Sequence, residues 1–65
     1  MPDYATLLRE ALRQGHPIDV VLAALLEQGA SKVESTKAVH DVMGLRLMEA
    51  KKLVEDAAEK FRPNQ

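Results

Sequence analysis

Apolar side chains recur at helical spacing in four stretches of the chain, and a glycine or proline interrupts each change of stretch. Tyr4, Leu7, Leu8, Ala11 and Leu12 mark the first, three to four residues apart as one face of an α-helix requires. Asp3 is placed to cap this helix and Gly15 to stop it. Pro17 pushes His16 toward an extended conformation, while its own fixed φ suits the first turn of a following helix, so residues 14–17 form a corner.

Ile18, Val21, Leu22, Leu25 and Leu26 give the second stretch one broad apolar face, ending at Gly29. Residues 18–22 could pass for a strand by composition. Helix is the better reading, because Ala23, Ala24, Leu25, Leu26 and Glu27 continue it with strong helix formers and no other segment supplies a strand to pair with. Ser31 and Glu34 then stand three apart as a capping box, opening a third helix that turns Ala38, Val39 and Val42 inward and ends at Gly44. Lys32, Thr36, Lys37 and His40 fall on its other faces, open to solvent or a partner.

Leu45 sits in the next turn, and residues 47–61 form the longest helix, with Leu47, Ala50, Val54, Ala57, Ala58 and Phe61 as its apolar stripe. Met48, Lys52, Glu55, Asp56 and Glu59 make its wet side. Lys52 with Asp56, and Asp56 with Lys60, have the four-residue spacing of surface ion pairs worth about 0.2–0.5 kcal/mol each. Pro63 enforces a stop, leaving Asn64 and Gln65 as a frayed end. The pattern predicts an all-α fold: one domain over residues 1–65, a compact bundle of about four helices at 4–14, 18–28, 32–43 and 47–61, with a helix-turn-helix at its core.

Length sharpens this picture. A chain of 65 residues has room for one core and buries only roughly 60% of its unfolded surface. With no cysteine to form disulfides or bind zinc, its stability must come from helix packing or self-association. The apolar surplus of the first and last helices, Leu8, Leu12, Met48, Leu53 and Phe61, makes a homodimer one expectation. A net charge of −1 with both signs interspersed gives no long-range field. The opening Met1, Pro2, Asp3 and Tyr4 lacks a secretory pattern and is read as the start of a whole chain. The longest apolar run, residues 20–26, is far short of the about 20 residues that cross a bilayer, so a cytoplasmic protein without membrane contact is expected.

Candidate chemistry adds little. Thr36 and His40 lie four apart on one helix face, but no third group or cleft goes with them, and Ser31 is a cap. His16 and His40 lie in different elements without metal-ligand spacing, and the single glycine at Gly44 makes no phosphate-binding loop. No enzyme activity, metal or cofactor is expected. A helix-turn-helix nucleic-acid binder is an alternative, with Arg9, Arg13, Lys32 and Lys37 as modest phosphate-neutralising material.

At residues 29–55 the segment GASKVESTKAVHDVMGLRLMEAKKLVE resembles, without a gap, the helix-turn-helix part of the C-terminal domain of the bacterial ribosomal stalk protein L7/L12. The specific matches are Lys37, Ala38 and Val39, then Gly44 and Leu45, then Glu49, Ala50 and Lys51 with Leu53, Val54 and Glu55. The resemblance implies a protein-interaction domain that recruits a translational GTPase or another ribosomal component. It places the contact face on Lys32, Val33, Thr36, Lys37, His40, Leu45, Glu49 and Lys51.

Thr36, His40, Arg46 and Met48 depart from the family pattern, which has an aliphatic residue, an arginine, a glycine and a lysine there. Residues 18–22 look like the family's first strand. The family also continues beyond the position of Gln65 with another helix and two strands, so the expectation is a shortened, helical relative. The Gly44 turn with Lys51 also resembles, less specifically, the ubiquitin-associated-like domain of elongation factor Ts.

Overall fold

The computed structural model describes residues 3–60, and these form four helices and no strand: α1 Tyr4–Arg13, α2 Ile18–Glu27, α3 Lys32–Met43 and α4 Leu47–Lys60. Asp3 caps α1, its carboxylate accepting the Thr6 amide at 3.3 Å and the Thr6 hydroxyl at 2.7 Å. Those bonds to the ionised form hold the Asp3 carboxyl below its ordinary value. Residues 18–22 are helical throughout, as the helix-forming residues after them require. Both halves of the capping box form at α3: Glu34 donates its amide to the Ser31 hydroxyl at 3.0 Å and accepts the Ser31 amide at 2.9 Å.

The first two helices end in the same way. Gly15 and Gly29 adopt positive φ, and the next amide reaches back five residues, His16 to the Ala11 carbonyl at 3.1 Å and Ala30 to that of Leu25 at 3.0 Å. This double closure satisfies carbonyls that a bare helix end would leave open. It also ends α1 and α2 one residue earlier than their periodicity suggests, with Gln14 and Gln28 as C-caps. Pro17 stands just outside α2 as its N-cap, not in its first turn, at φ −63 and ψ 145.

Leu8, Leu22, Val39 and Val54 fill the centre, joined by Val21, Leu25, Ala30, Ala38, Ala50 and Ala57. α2 and α3 lie between α1 and α4, which do not touch each other. Among the described residues the apolar surplus expected of helices one and four is divided: Leu8 is fully buried, Leu12 and Leu53 pack at the core margin, and Met48 is exposed, while Phe61 lies outside the described residues.

Three core assignments change. Leu7 is exposed, because Leu8 rather than Leu7 points between α2 and α3. Leu47 is also exposed, since it is the first residue of α4 and precedes the buried Ala50 by almost a full turn. Ser35, assigned to no core face, is fully buried, and its hydroxyl has no hydrogen-bond partner among the described residues. Lys60 crosses to Asp19 of α2 at 2.8 Å, tying the end of α4 to the start of α2. The expected helix end at Phe61 and the stop at Pro63, with Asn64 and Gln65, lie outside the described residues.

Candidate groove between the third and fourth helices

α3 and α4 are joined by three residues, Gly44, Leu45 and Arg46, so they must run back along each other. Gly44 makes the reversal at φ 71, donating its amide to the His40 carbonyl at 3.0 Å. Leu45 anchors the turn against the core, half-buried. The Ala50 amide then starts α4 by bonding the Arg46 carbonyl at 2.8 Å.

His40 locks this turn from the side. Its Nδ1 lies 2.6 Å from the Leu45 carbonyl. A carbonyl can only accept, so Nδ1 carries the proton and donates it, leaving Nε2 as the outward atom. The ring thus fixes how the first turn of α4 leaves the end of α3.

Between the two helices runs an open groove of about 640 Å³. Its α3 wall carries Lys32, Val33, Thr36, Lys37, His40 and Asp41, and its α4 wall Leu47, Met48, Lys51 and Glu55. Met48 is 85% exposed, Val33 78% and Leu47 58%, making them the three most exposed large apolar side chains among the described residues. That all three meet in one groove matters, because scattered exposed apolar residues are ordinary whereas converging ones mark contact surfaces.

Polar chemistry in the groove is sparse and mostly positive. Lys51 approaches Glu55 at 4.0 Å across one helical turn, with both side chains largely exposed. Lys32 and Lys37 have no ion-pair partner among the described residues. Thr36 donates its hydroxyl to the Lys32 carbonyl at 2.7 Å, which satisfies that hydroxyl within the helix. Thr36 and His40, the one hydroxyl–imidazole pair on this face, are therefore each engaged elsewhere rather than with one another. No group of His, Asp and Glu that could hold a metal ion occurs among the described residues.

Six of the eight site residues expected from sequence line this groove: Lys32, Val33, Thr36, Lys37, His40 and Lys51. Leu45 does not line it. It supports the groove from below, through the core and through its carbonyl bond to His40. Glu49 is exposed but stands off the groove wall. Asp41, Leu47, Met48 and Glu55 were not expected in the site. The signal for them was present: Met48, Lys51 and Glu55 repeat the spacing of Val33, Thr36 and His40 almost residue for residue, so each helix carries a matching stripe. An apolar Met48 on the wet side of α4 was its most visible sign.

Comparison with known proteins places this groove in context. Residues 18–64 match the family model described as the ribosomal protein L7/L12 C-terminal domain. The chain is 43% identical over 60 residues to the large ribosomal subunit protein bL12 of Rickettsia prowazekii (strain Madrid E), an alignment covering 92% of this chain and 46% of that protein. Against bL12 of Rickettsia akari (strain Hartford) the identity is 44% over 55 residues, covering 85% and 42%. The chain thus spans about half the length of the curated relatives it matches. No solved structure gives a significant match.

Proposed function

The chain belongs to the ribosomal protein L7/L12 C-terminal domain family, and on that premise we propose that it is a non-catalytic docking domain that engages a protein partner through the α3–α4 groove. The partner implied by the family resemblance is a translational GTPase or another ribosomal component in the cytoplasm. One observation carries the reading: Val33, Leu47 and Met48 converge, strongly exposed, beside Lys32, Lys37 and Lys51. An apolar centre with a charged rim is the anatomy of a protein contact, the apolar groups giving affinity and the charges orientation. Val33 in particular has no core role to explain its side chain.

Two alternatives fit less well. For nucleic acid, the exposed lysines of α3 are interleaved with Glu34 and Asp41 rather than gathered into a basic stripe. A homodimer through helices one and four finds α1 and α4 on opposite sides of the molecule, with Leu8 buried.

The test is an amide NMR titration of the labelled protein with a translational GTPase in its GTP-analogue state at moderate salt. Shifts concentrated at residues 32–40, at Leu45 and at residues 47–51 are expected. The double variant Val33→Asp, Lys37→Asp should abolish them while keeping the helical circular-dichroism signal. An unchanged spectrum on adding the GTPase would overturn GTPase recruitment.

A further inference from the structure

Three connections join the four helices, and they are not equally fixed. Between α2 and α3, Ala30 is buried in the core and its amide bonds the Leu25 carbonyl at 3.0 Å. Between α3 and α4, Leu45 packs on the core and its carbonyl accepts the His40 ring. The corner at residues 14–17 has neither tie. All four of its residues are exposed, and none makes a side-chain hydrogen bond or ion pair among the described residues.

The helix before that corner is held just as lightly. α1 packs on α2 and α3, but not on α4, through the buried Leu8 and the half-buried Tyr4, Ala5, Ala11 and Leu12. Its side-chain bonds among the described residues stay within itself and its cap, Asp3 with Thr6 and Glu10 with Arg13. α4, by contrast, is tied to α2 through Lys60 and Asp19. α1 is also the one helix outside the family match, which begins at residue 18.

We propose that α1 is an exchangeable arm: two copies of the chain open at residues 14–17, and each seats its α1 on the α2–α3 surface of the other. The result is a domain-swapped dimer in equilibrium with the closed monomer.

The occupant follows from the surface itself. A site shaped for α1 is complementary to the α1 of any copy, so the exchange regains every contact that opening gives up. With no polar tie to the body, the arm has only apolar contacts to break and remake, and segments held by few buried groups open first. The corner favours the exchange as well. Gly15 holds φ 91 in the closed form, a conformation it need not keep once α1 swings out. Pro17 restricts His16 to extended backbone and itself stands at ψ 145, so opening rotates the chain chiefly about Gly15. Four extended residues reach about 14 Å, close to the roughly 15 Å length of α1, which carries the arm clear of its own body. The exchanged contacts exclude α4, so the proposal stands apart from the docking reading.

The experiment mixes two isotopically distinct batches of the full chain at high concentration. Isotope-filtered NMR of the dimer fraction should show contacts from Leu8 of one copy to Leu22 or Val39 of the other. Gly15→Ala places a side chain at positive φ in the closed corner only, and should raise the dimer association constant about tenfold or more in sedimentation. Gly29→Ala is the control: it introduces the same left-handed strain at a corner anchored by Ala30, and should lower the melting temperature without raising the dimer fraction.

A dimer whose contacts between copies avoid Leu8 overturns the proposal, as does a wild-type chain that stays monomeric up to its solubility limit. Gly29→Ala dimerising as strongly as Gly15→Ala also overturns it, since any loosened corner would then associate. Should Gly15→Ala fail to fold, the filtered wild-type spectra decide alone: Leu8 contacts between copies support the arm, and their absence removes it. None of these readouts involves another protein, so loss of GTPase recruitment leaves the arm standing and loss of the arm leaves recruitment standing.

Discussion

Two apolar surfaces of this molecule use the same residue types to opposite ends. Leu8, Leu22, Val39 and Val54 are fully buried, while Val33, Leu47 and Met48 stand in the open groove. Hydrophobicity does not separate the two sets; angular position does. At 100° per residue, Met48 lies roughly 200° around α4 from the buried Ala50, and Val33 roughly 120° around α3 from the buried Val39. The lesson is that in a bundle this small α3 and α4 carry apolar side chains beyond those that hold the fold, and the ones left over are the candidates for function.

The comparison breaks most severely at the core. Leu22→Ala removes a fully buried side chain from the centre and should cost about 2–5 kcal/mol, much of the total stability of a domain this size. Urea denaturation followed by circular dichroism measures it, and a loss below 1 kcal/mol would show that Leu22 is not central. The groove should respond in the opposite sense. The double variant Val33→Asp, Lys37→Asp should change stability by less than about 0.5 kcal/mol while costing partner binding about 2–3 kcal/mol, or roughly a hundredfold. A melting temperature that fell as far as that of Leu22→Ala would move Val33 into the core.

Smaller effects sharpen the boundary between the two surfaces. Ser31→Ala removes the capping box under the groove's α3 wall and should cost about 1 kcal/mol, visible as earlier urea unfolding. Ser35→Ala tests the core from its polar flaw: the buried hydroxyl has no partner among the described residues, so the variant should be neutral or more stable by up to about 1 kcal/mol. Destabilisation there would mean that the hydroxyl is satisfied in solution.

The smallest effect is electrostatic. Lys60, bonded to Asp19, lowers the Asp19 carboxyl and is itself raised. A depressed carboxylate contributes stability above its unfolded value of 3.8 and loses it as pH falls through the lower folded value. A raised lysine contributes below 10.5 and loses it as pH rises through the higher folded value. The pair is exposed and screened, so Asp19→Asn should lower the melting temperature slightly at neutral pH and hardly at all near pH 2.

Legibility followed the range of the forces involved. Asp3, the Ser31 and Glu34 box, and the stops at Gly15, Gly29 and Gly44 were readable because caps and left-handed turns depend on residues within a few positions of one another. The α3 wall of the groove was readable as well, in part through the family resemblance that runs along it. Leu47 and Met48 were not, because one looked like stripe and the other like surface when α4 was considered alone.

By itself, then, the sequence determined four helices, within a residue at each end that lies in the described part, and most of the residues that could face inward, since hydrogen bonds and side-chain stripes within a helix are set locally. Only the tertiary structure decided which stripe is covered. α2 and α3 separate α1 from α4, and the three-residue turn held by Gly44, Leu45 and His40 starts α4 with Leu47 and Met48 exposed ahead of the buried Ala50. That placement leaves Leu47 and Met48 opposite Val33 instead of beneath it, because burial depends on which helices meet, and no local contact encodes that.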